Sequence, residues 1–290
     1  MLRIIRTISP LLLVFIFQIS GNAQGKSLLW KVSGKGLTTP SYLFGTVHMI
    51  CKNELSFAPA VTTALQNAQS MCMEIDLMNN DDHDNMRALI MHTDANYSLR
   101  QLFDSTDYAT LNRYFLDSLQ FNLASLDKAK PFMLTTLLLA KQIPCNDEDI
   151  ASPDRVLAAM AINQKKPIAT LETVESQMAL FDSIPDTAEA AMIMHILRDI
   201  KANDKEAHEL TNIWKQQDLD KLYQLVIQSP DLKDYQNLML FQRNAAWVPR
   251  IEQLMKKGSL FVAVGAAHLA GNKGLISLLR KQGYKVEAVN

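Results

Sequence analysis

The sequence predicts an α/β fold, in which a mostly parallel central sheet is flanked by helices and carries an α-rich cap. Three observations predict it. Short β-type runs recur between long helical patterns. Several of those runs are apolar on both faces, as a parallel sheet covered by helices requires. The segments Asp82 to Lys141 and Thr187 to Lys257 hold more helix than simple alternation needs, and that excess reads as a cap over the sheet edge.

Taken in order, Leu28 to Ser33 is the first strand candidate. Its connection through Gly34-Lys35-Gly36 to Tyr42 is too short for a helical crossover, so it reads as an antiparallel hairpin partner at an edge. Tyr42 to His48 follows. In Met71 to Leu77, alternation puts Glu74 and Asp76 on one face and Met73, Ile75 and Leu77 on the other. Ser152-Pro153-Asp154 sets a capping hydroxyl, a first-turn proline and an acid ahead of Val156, Leu157, Met160 and Ala161, so a helix starts at Pro153. Pro167 to Leu171 is a strand running into a helix, with Glu172 at the junction. Turn signals near Ser229-Pro230-Asp231 interrupt the long helical stretch before the strand Leu260 to Ala266. The stripe Leu275, Leu278 and Leu279 stops at Gly283, and Val286 and Ala288 alternate with charged residues in the last strand, Tyr284 to Val289.

The chain opens with Arg3 and Arg6, an apolar run from Ile8 to Ile19 and small residues up to Ala23, the pattern of a cleavable export signal over residues 1–23. The run is shorter than the roughly 20 apolar residues a membrane span needs. The expectation is therefore one domain over residues 24–290, periplasmic or secreted, with no stable membrane insertion after processing. Charge is balanced, with 29 basic and 30 acidic residues, which leaves no electrostatic footprint for nucleic acid. The partner expected instead is a peptide or small molecule; the sequence says nothing of oligomeric state. Of three cysteines one must stay unpaired. Cys51 to Cys72 is the pairing considered, with Cys145 left over, although spacing alone does not fix it.

Two stretches near opposite ends read alike: Tyr42-Leu43-Phe44-Gly45-Thr46-Val47-His48 and Phe261-Val262-Ala263-Val264-Gly265-Ala266-Ala267-His268. Each is an apolar run closing on Gly-x-x-His. A buried strand would deliver each imidazole to the rim of the sheet, and the glycine would let a ligand or another backbone approach closely. The other histidines, His83, His92, His195 and His208, sit in polar helical patterns and read as surface residues. Glu74 inside an apolar strand needs a cationic partner, either a metal ion or an arginine. Arg243 could neutralise it or bind a substrate carboxylate in a two-pronged contact. Two histidines and a carboxylate are also the minimum ligand set of a catalytic divalent metal.

Together these segments resemble the TraB, PrgY and GumN family, which includes the Tiki proteins. The resemblance rests on Tyr42 to Met49, Met73-Glu74-Ile75-Asp76, Leu171-Glu172-Thr173 to Gln177, Arg243-Asn244-x-x-Trp247, and Gly265-Ala266-Ala267-His268-Leu269-Ala270-Gly271-x-x-Gly274. It implies a fold similar to erythromycin esterase and the haem-iron protein ChaN. It also implies a metal-dependent peptidase acting on peptide or protein chains, with manganese or cobalt as the favoured ion. On that reading His48, Glu74 and His268 hold the metal, Glu172 or Asp76 accepts the proton of the attacking water, and Arg243 holds an anionic substrate oxygen. The rival expectations are a non-catalytic protein that sequesters peptide or haem, and metal-free hydrolysis with one histidine as general base. Metal ligation by both histidines carries a pH signature: acid expels the ion, and activity falls steeply between roughly pH 7 and pH 5.

Overall fold

The computed structural model describes residues 26–78, 89–230 and 232–289. The expected export signal, His83, Asp231 and the start of the first helical excess lie outside them. Among the described residues there are eight strands: β1 (Leu29–Ser33), β2 (Ser41–Thr46), β3 (Ile50–Cys51), β4 (Ser70–Met73), β5 (Ile150–Ala151), β6 (Ile168–Thr170), β7 (Leu260–Gly265) and β8 (Lys285–Ala288). Six of them form one sheet in the order β6-β4-β7-β2-β1-β8, and β3 pairs with β5 separately. The strands from β6 to β2 run parallel, while β1 is antiparallel to both neighbours. The mixed α/β architecture with a mostly parallel central sheet is therefore present as read from the sequence.

β7 lies at the centre because its run Leu260–Val264 is fully buried on both faces, which only a doubly covered central strand allows. The β1–β2 hairpin forms through Gly34 and Gly36, both in the left-handed region that glycine adopts without strain. It is not the sheet edge, however: β8 pairs along β1 and takes that place.

The helices are α1 (Pro59–Asn67), α2 (Ser105–Leu119), α3 (Pro131–Lys141), α4 (Pro153–Asn163), α5 (Val174–Phe181), α6 (Asp186–Arg198), α7 (Ile200–Lys215), α8 (Leu219–Gln228), α9 (Gln242–Met255) and α10 (Leu275–Lys281). Their starts follow local chemistry. Ser152 caps α4 ahead of Pro153, as its spacing suggested, and Thr173 and Ser176 close a reciprocal capping box on α5. α4 packs on β4, β6 and β7, and α10 on β8.

Two apolar cores result. The larger gathers the sheet with α1, α4, α9 and α10. The smaller joins α2, α3 and α6 through Leu111, Phe115, Leu134, Leu138 and Ile193 and forms the cap. The cap is narrower than the sequence suggested, because Trp214, Leu222, Trp247 and Ile251 of α7, α8 and α9 bury their side chains in the sheet core instead. Among the described residues, no helix is long and apolar enough to cross a membrane.

Two further expectations need correction. The strand expected over Met71 to Leu77 is β4, which ends at Met73, because the chain bends there and the Leu171 and Glu172 amides take the Met73 and Glu74 carbonyls. Alternation therefore fails beyond Met73: Ile75 is buried, and Asp76 is exposed and accepts from the Met78 amide. The disulfide joins Cys51 to Cys145, with Cα atoms 6.0 Å apart, and not Cys51 to Cys72. Cys72 is free and fully buried in β4 between β6 and β7. Pairing of β3 with β5 brings the Cys145 segment to Cys51, and two-residue strands carry no periodicity from which to foresee it.

Candidate active site

Four parallel strands deliver their C-terminal ends to one rim. In sheet order these ends supply Glu172 after β6, Glu74 after β4, Gly265 and His268 from β7, and His48 after β2. Open α/β sheets bind ligands at such a rim. The two Gly-x-x-His motifs lie side by side, one residue out of step, with Gly45 opposite Val264 and Thr46 opposite Gly265. A methyl placed on Gly265 would lie 3.4 Å from Glu74 Oε1, 3.6 Å from His268 Cδ2 and 3.8 Å from His48 Cε1. The three side chains thus surround one point, which the absent glycine side chain leaves open. Gly45 serves differently: a methyl there would stand 3.0 Å from the Cα and Cβ of Ala266, so this glycine allows close packing of the two motifs.

Arg243 ties the acids together. Its Nη2 donates to Glu74 Oε2 at 2.7 Å and to Glu172 Oε2 at 2.9 Å, and its Nε donates to Glu172 Oε1 at 3.0 Å. Nη1 donates to the Met239 carbonyl at 3.0 Å and stands 3.3 Å from His268 Nε2. The Met239 carbonyl is presented by a π-helical turn, Asn237–Phe241, that leads into α9. Trp247, one turn further along α9, donates its indole N–H to Glu172 Oε1 at 2.9 Å and lays its ring against His268, with centroids 4.4 Å apart. Thr173 caps α5, which leaves Glu172 to face Arg243. A buried guanidinium shared by two carboxylates is the charge pairing that such burial demands.

His268 is buried, and its tautomer is set by α9. Asn244 Nδ2 donates to the Lys273 carbonyl, which turns Asn244 Oδ1 toward His268. His268 Nδ1–H donates to that oxygen at 2.7 Å, and Nε2 keeps its lone pair. Burial pushes this imidazole down to about 3, with Arg243 and His48 adding to the effect against the pull of Glu74. Burial also opposes the charge on Glu74. The fields of His268, Arg243 and His48 and the Gly265 amide outweigh it and hold the carboxyl at about 2.

His48 differs in every respect. Its side chain is 73% exposed at the rim, and Nδ1 lies 3.5 Å from Asp154 Oδ2. Asp154 is itself buried, accepts from Thr46 Oγ1 at 2.7 Å through its other oxygen, and holds His48 above the ordinary imidazole range. The sequence places Asp154 only as an acid in the first turn of α4. The available signal was that Ser152 already caps that helix, which leaves the acid free for another task.

A cavity of about 430 Å³ opens onto this rim, roofed by α3, α6, α7 and α8. His48, Arg243, His268 and Gly265 form its polar end, and most of the rest is aliphatic. Glu74 and Glu172 stand behind Arg243 rather than on the wall, and Asp76 does not line the cavity. Of the six residues singled out from sequence, five are therefore brought together and Asp76 is not. His92 is half-buried and stacks on Tyr97, while His195 and His208 are exposed.

The donor set does not fit a divalent ion as it stands. Glu74 Oε2 and His268 Nε2 both face Arg243 N–H groups, so a guanidinium already supplies the cation that Glu74 requires. Among the described residues, no group of three or more His, Cys, Asp or Glu side chains is arranged to hold a metal.

The chain belongs to the TraB/PrgY/gumN family, whose model matches residues 28–288. It is 23% identical over 248 residues to the uncharacterized protein YbaP of Shigella flexneri, covering 83% of this chain and 88% of that protein. It is 28% identical over 130 residues to the protein of the same name in Escherichia coli (strain K12), covering 44% of this chain and 47% of that one. No solved structure matches it.

Proposed function

We propose that the protein is an exported hydrolase acting on peptide or protein chains, and that its two Gly-x-x-His histidines work as an acid–base pair. The observation that carries this reading is the contrast at one end of one cavity, where His48 is exposed beside the buried Asp154 carboxylate and His268 is buried beside the Arg243 guanidinium. Pairs of groups whose environments push their pKa values apart are the signature of assigned acid and base roles. At neutral pH His48 is an imidazolium and His268 a neutral imidazole with its lone pair on Nε2.

In hydrolysis, His268 Nε2 exchanges its contact with Arg243 Nη1 for a water molecule and accepts a proton as that water's oxygen bonds to the scissile carbonyl carbon. His48 then gives its proton to the departing nitrogen as the C–N bond breaks. Exchange with solvent returns both rings to their starting states. Arg243 and Asn244 fix the His268 ring, and Asp154 steadies the charge on His48. The family resemblance also implies manganese or cobalt bound by His48, His268 and Glu74, which would supply a water nucleophile of lowered pKa. In this geometry an ion would have to displace Arg243, so no step here depends on it.

The test is a digest of a broad peptide mixture by the purified chain, with and without chelator, read by mass spectrometry. Cleavage that persists in chelator and is lost in both His48→Ala and His268→Ala supports the reading. Stoichiometric peptide binding without any cleavage would instead make the protein a sequestering one.

A further inference from the structure

The cavity beside the two histidines holds about 430 Å³ and is lopsided in its chemistry. Apart from His48, Arg243 and His268, no described residue on its wall is charged or carries an aromatic ring. The roof is aliphatic, from Leu139 of α3, Ile196 of α6, Leu210 of α7, and Leu222 and Val226 of α8. Backbone donors and acceptors in such helices are spent on the bonds that build them, so the roof offers a ligand almost no main-chain partner. These features limit what fits. A peptide threaded along the cavity would bury an N–H and a C=O at every residue, and most would stay unpaired. A single side chain would leave much of the space empty: an apolar cavity of about 150 Å³ already holds a benzene ring, and this one is roughly three times larger. A hydrocarbon chain meets both conditions, because it has no polar group beyond its first carbonyl and fills more of the space as it lengthens.

We propose that the cavity seats the aliphatic acyl chain of an N-acylated peptide, with the acyl carbonyl over Gly265 between His48 and His268, so that the bond cut is the amide joining the acyl group to the peptide. Gly265 leaves room there, since even a methyl on it would stand in ordinary contact with both rings. Water adds its oxygen to the acyl carbonyl carbon and gives a proton to His268. The C–N bond then breaks, and the peptide nitrogen leaves with the His48 proton. The products are a free carboxylic acid and a peptide with a free amino terminus. The cleavage rests on the proposed function above; the acyl seat itself rests on the volume and lining of the cavity.

The test uses the full mature chain and Gly-Ala amides carrying an N-terminal butanoyl, hexanoyl or octanoyl group, with binding read by calorimetry and products by mass spectrometry. Each added methylene should strengthen binding about fourfold, and the free acid should be released. Ala207→Leu and Val226→Phe, which narrow the cavity away from the histidines, should each weaken the octanoyl peptide about tenfold or more and leave the butanoyl peptide within about twofold. Unchanged butanoyl binding shows that a variant is folded, and the wild-type series stands even where a variant is not. Affinity that is flat along the series overturns the proposal, as do two folded variants that bind the octanoyl peptide like the wild type. So does an acetyl-Leu-Gly-Ala amide that binds as tightly as the octanoyl peptide; its cleavage within the peptide chain would still leave hydrolysis standing. Dependence on chain length without release of acid upholds the acyl seat and overturns the hydrolysis.

Discussion

Replacing Arg243 by methionine should reverse the sense in which acid acts on this centre. In the wild type the Glu74 carboxyl sits at about 2 against an ordinary 4.5. At about 1.36 kcal/mol per unit, that depression contributes about 3 kcal/mol of stability. Because the folded value is the lower one, the contribution is fully present above pH 4.5 and is lost as pH falls towards 2, with about half gone by pH 3. Methionine occupies similar space but leaves Glu74 and Glu172 buried without their cation. Breaking a buried pair in this way costs about 3–5 kcal/mol. The cost attaches to the charged acids, so protonation relieves it. Urea melts of both proteins from pH 7 to pH 3, at constant ionic strength with the disulfide intact, should show the variant several kcal/mol weaker at pH 7. That gap should narrow as the solution is acidified. Parallel stability curves, or a gap under about 1 kcal/mol at pH 7, would refute the claim that Arg243 neutralises these acids.

Three further outcomes follow from particular contacts. Gly45→Ala should cost about 1–3 kcal/mol, since its methyl meets Ala266 at 3.0 Å, whereas Gly265→Ala, in ordinary contact and at φ −51°, should melt near wild type yet lose activity; equal melting losses would overturn that division. Glu189 is pushed up to about 7 by burial and by Asp186, so its folded form holds the proton more tightly and stability falls as pH rises from 4.5 to 7. Glu189→Gln should flatten that part of the stability curve by up to about 3 kcal/mol, and an unchanged slope would count against it. Cys145→Ser opens a link across 94 residues and should cost several kcal/mol, of the order of the ~4.7 kcal/mol expected for a loop of that size, measured as a shift in urea midpoint.

Much of this molecule is legible in its sequence, because the informative signals are periodic or repeated. The six sheet strands show as apolar runs, and the repeated Gly-x-x-His places both histidines at one rim because β2 and β7 are parallel neighbours. What escaped was set by tertiary context. Glu74 and Asp76 looked equivalent under alternation, and the bend after Met73 separates them into a buried acid and an exposed turn residue. Cys145 found Cys51 only through two-residue strands. Asp154 hid behind a plausible helix-dipole role, although it is the partner of His48. The need for a cation beside Glu74 was readable from the cost of burying an acid. Whether arginine or metal would meet it depended on the placement of α9, which no local pattern encodes.

The most direct measurement is the pH profile of peptide cleavage from pH 5 to pH 8 at two manganese concentrations. With His48 titrating above the ordinary imidazole range and His268 far below it, the acid–base account predicts a rate almost flat from about pH 5 to pH 7 and indifferent to manganese. A steep fall over that interval, approaching second order in protons and moving to lower pH as manganese is added, would contradict it and return the two histidines to the role of metal ligands.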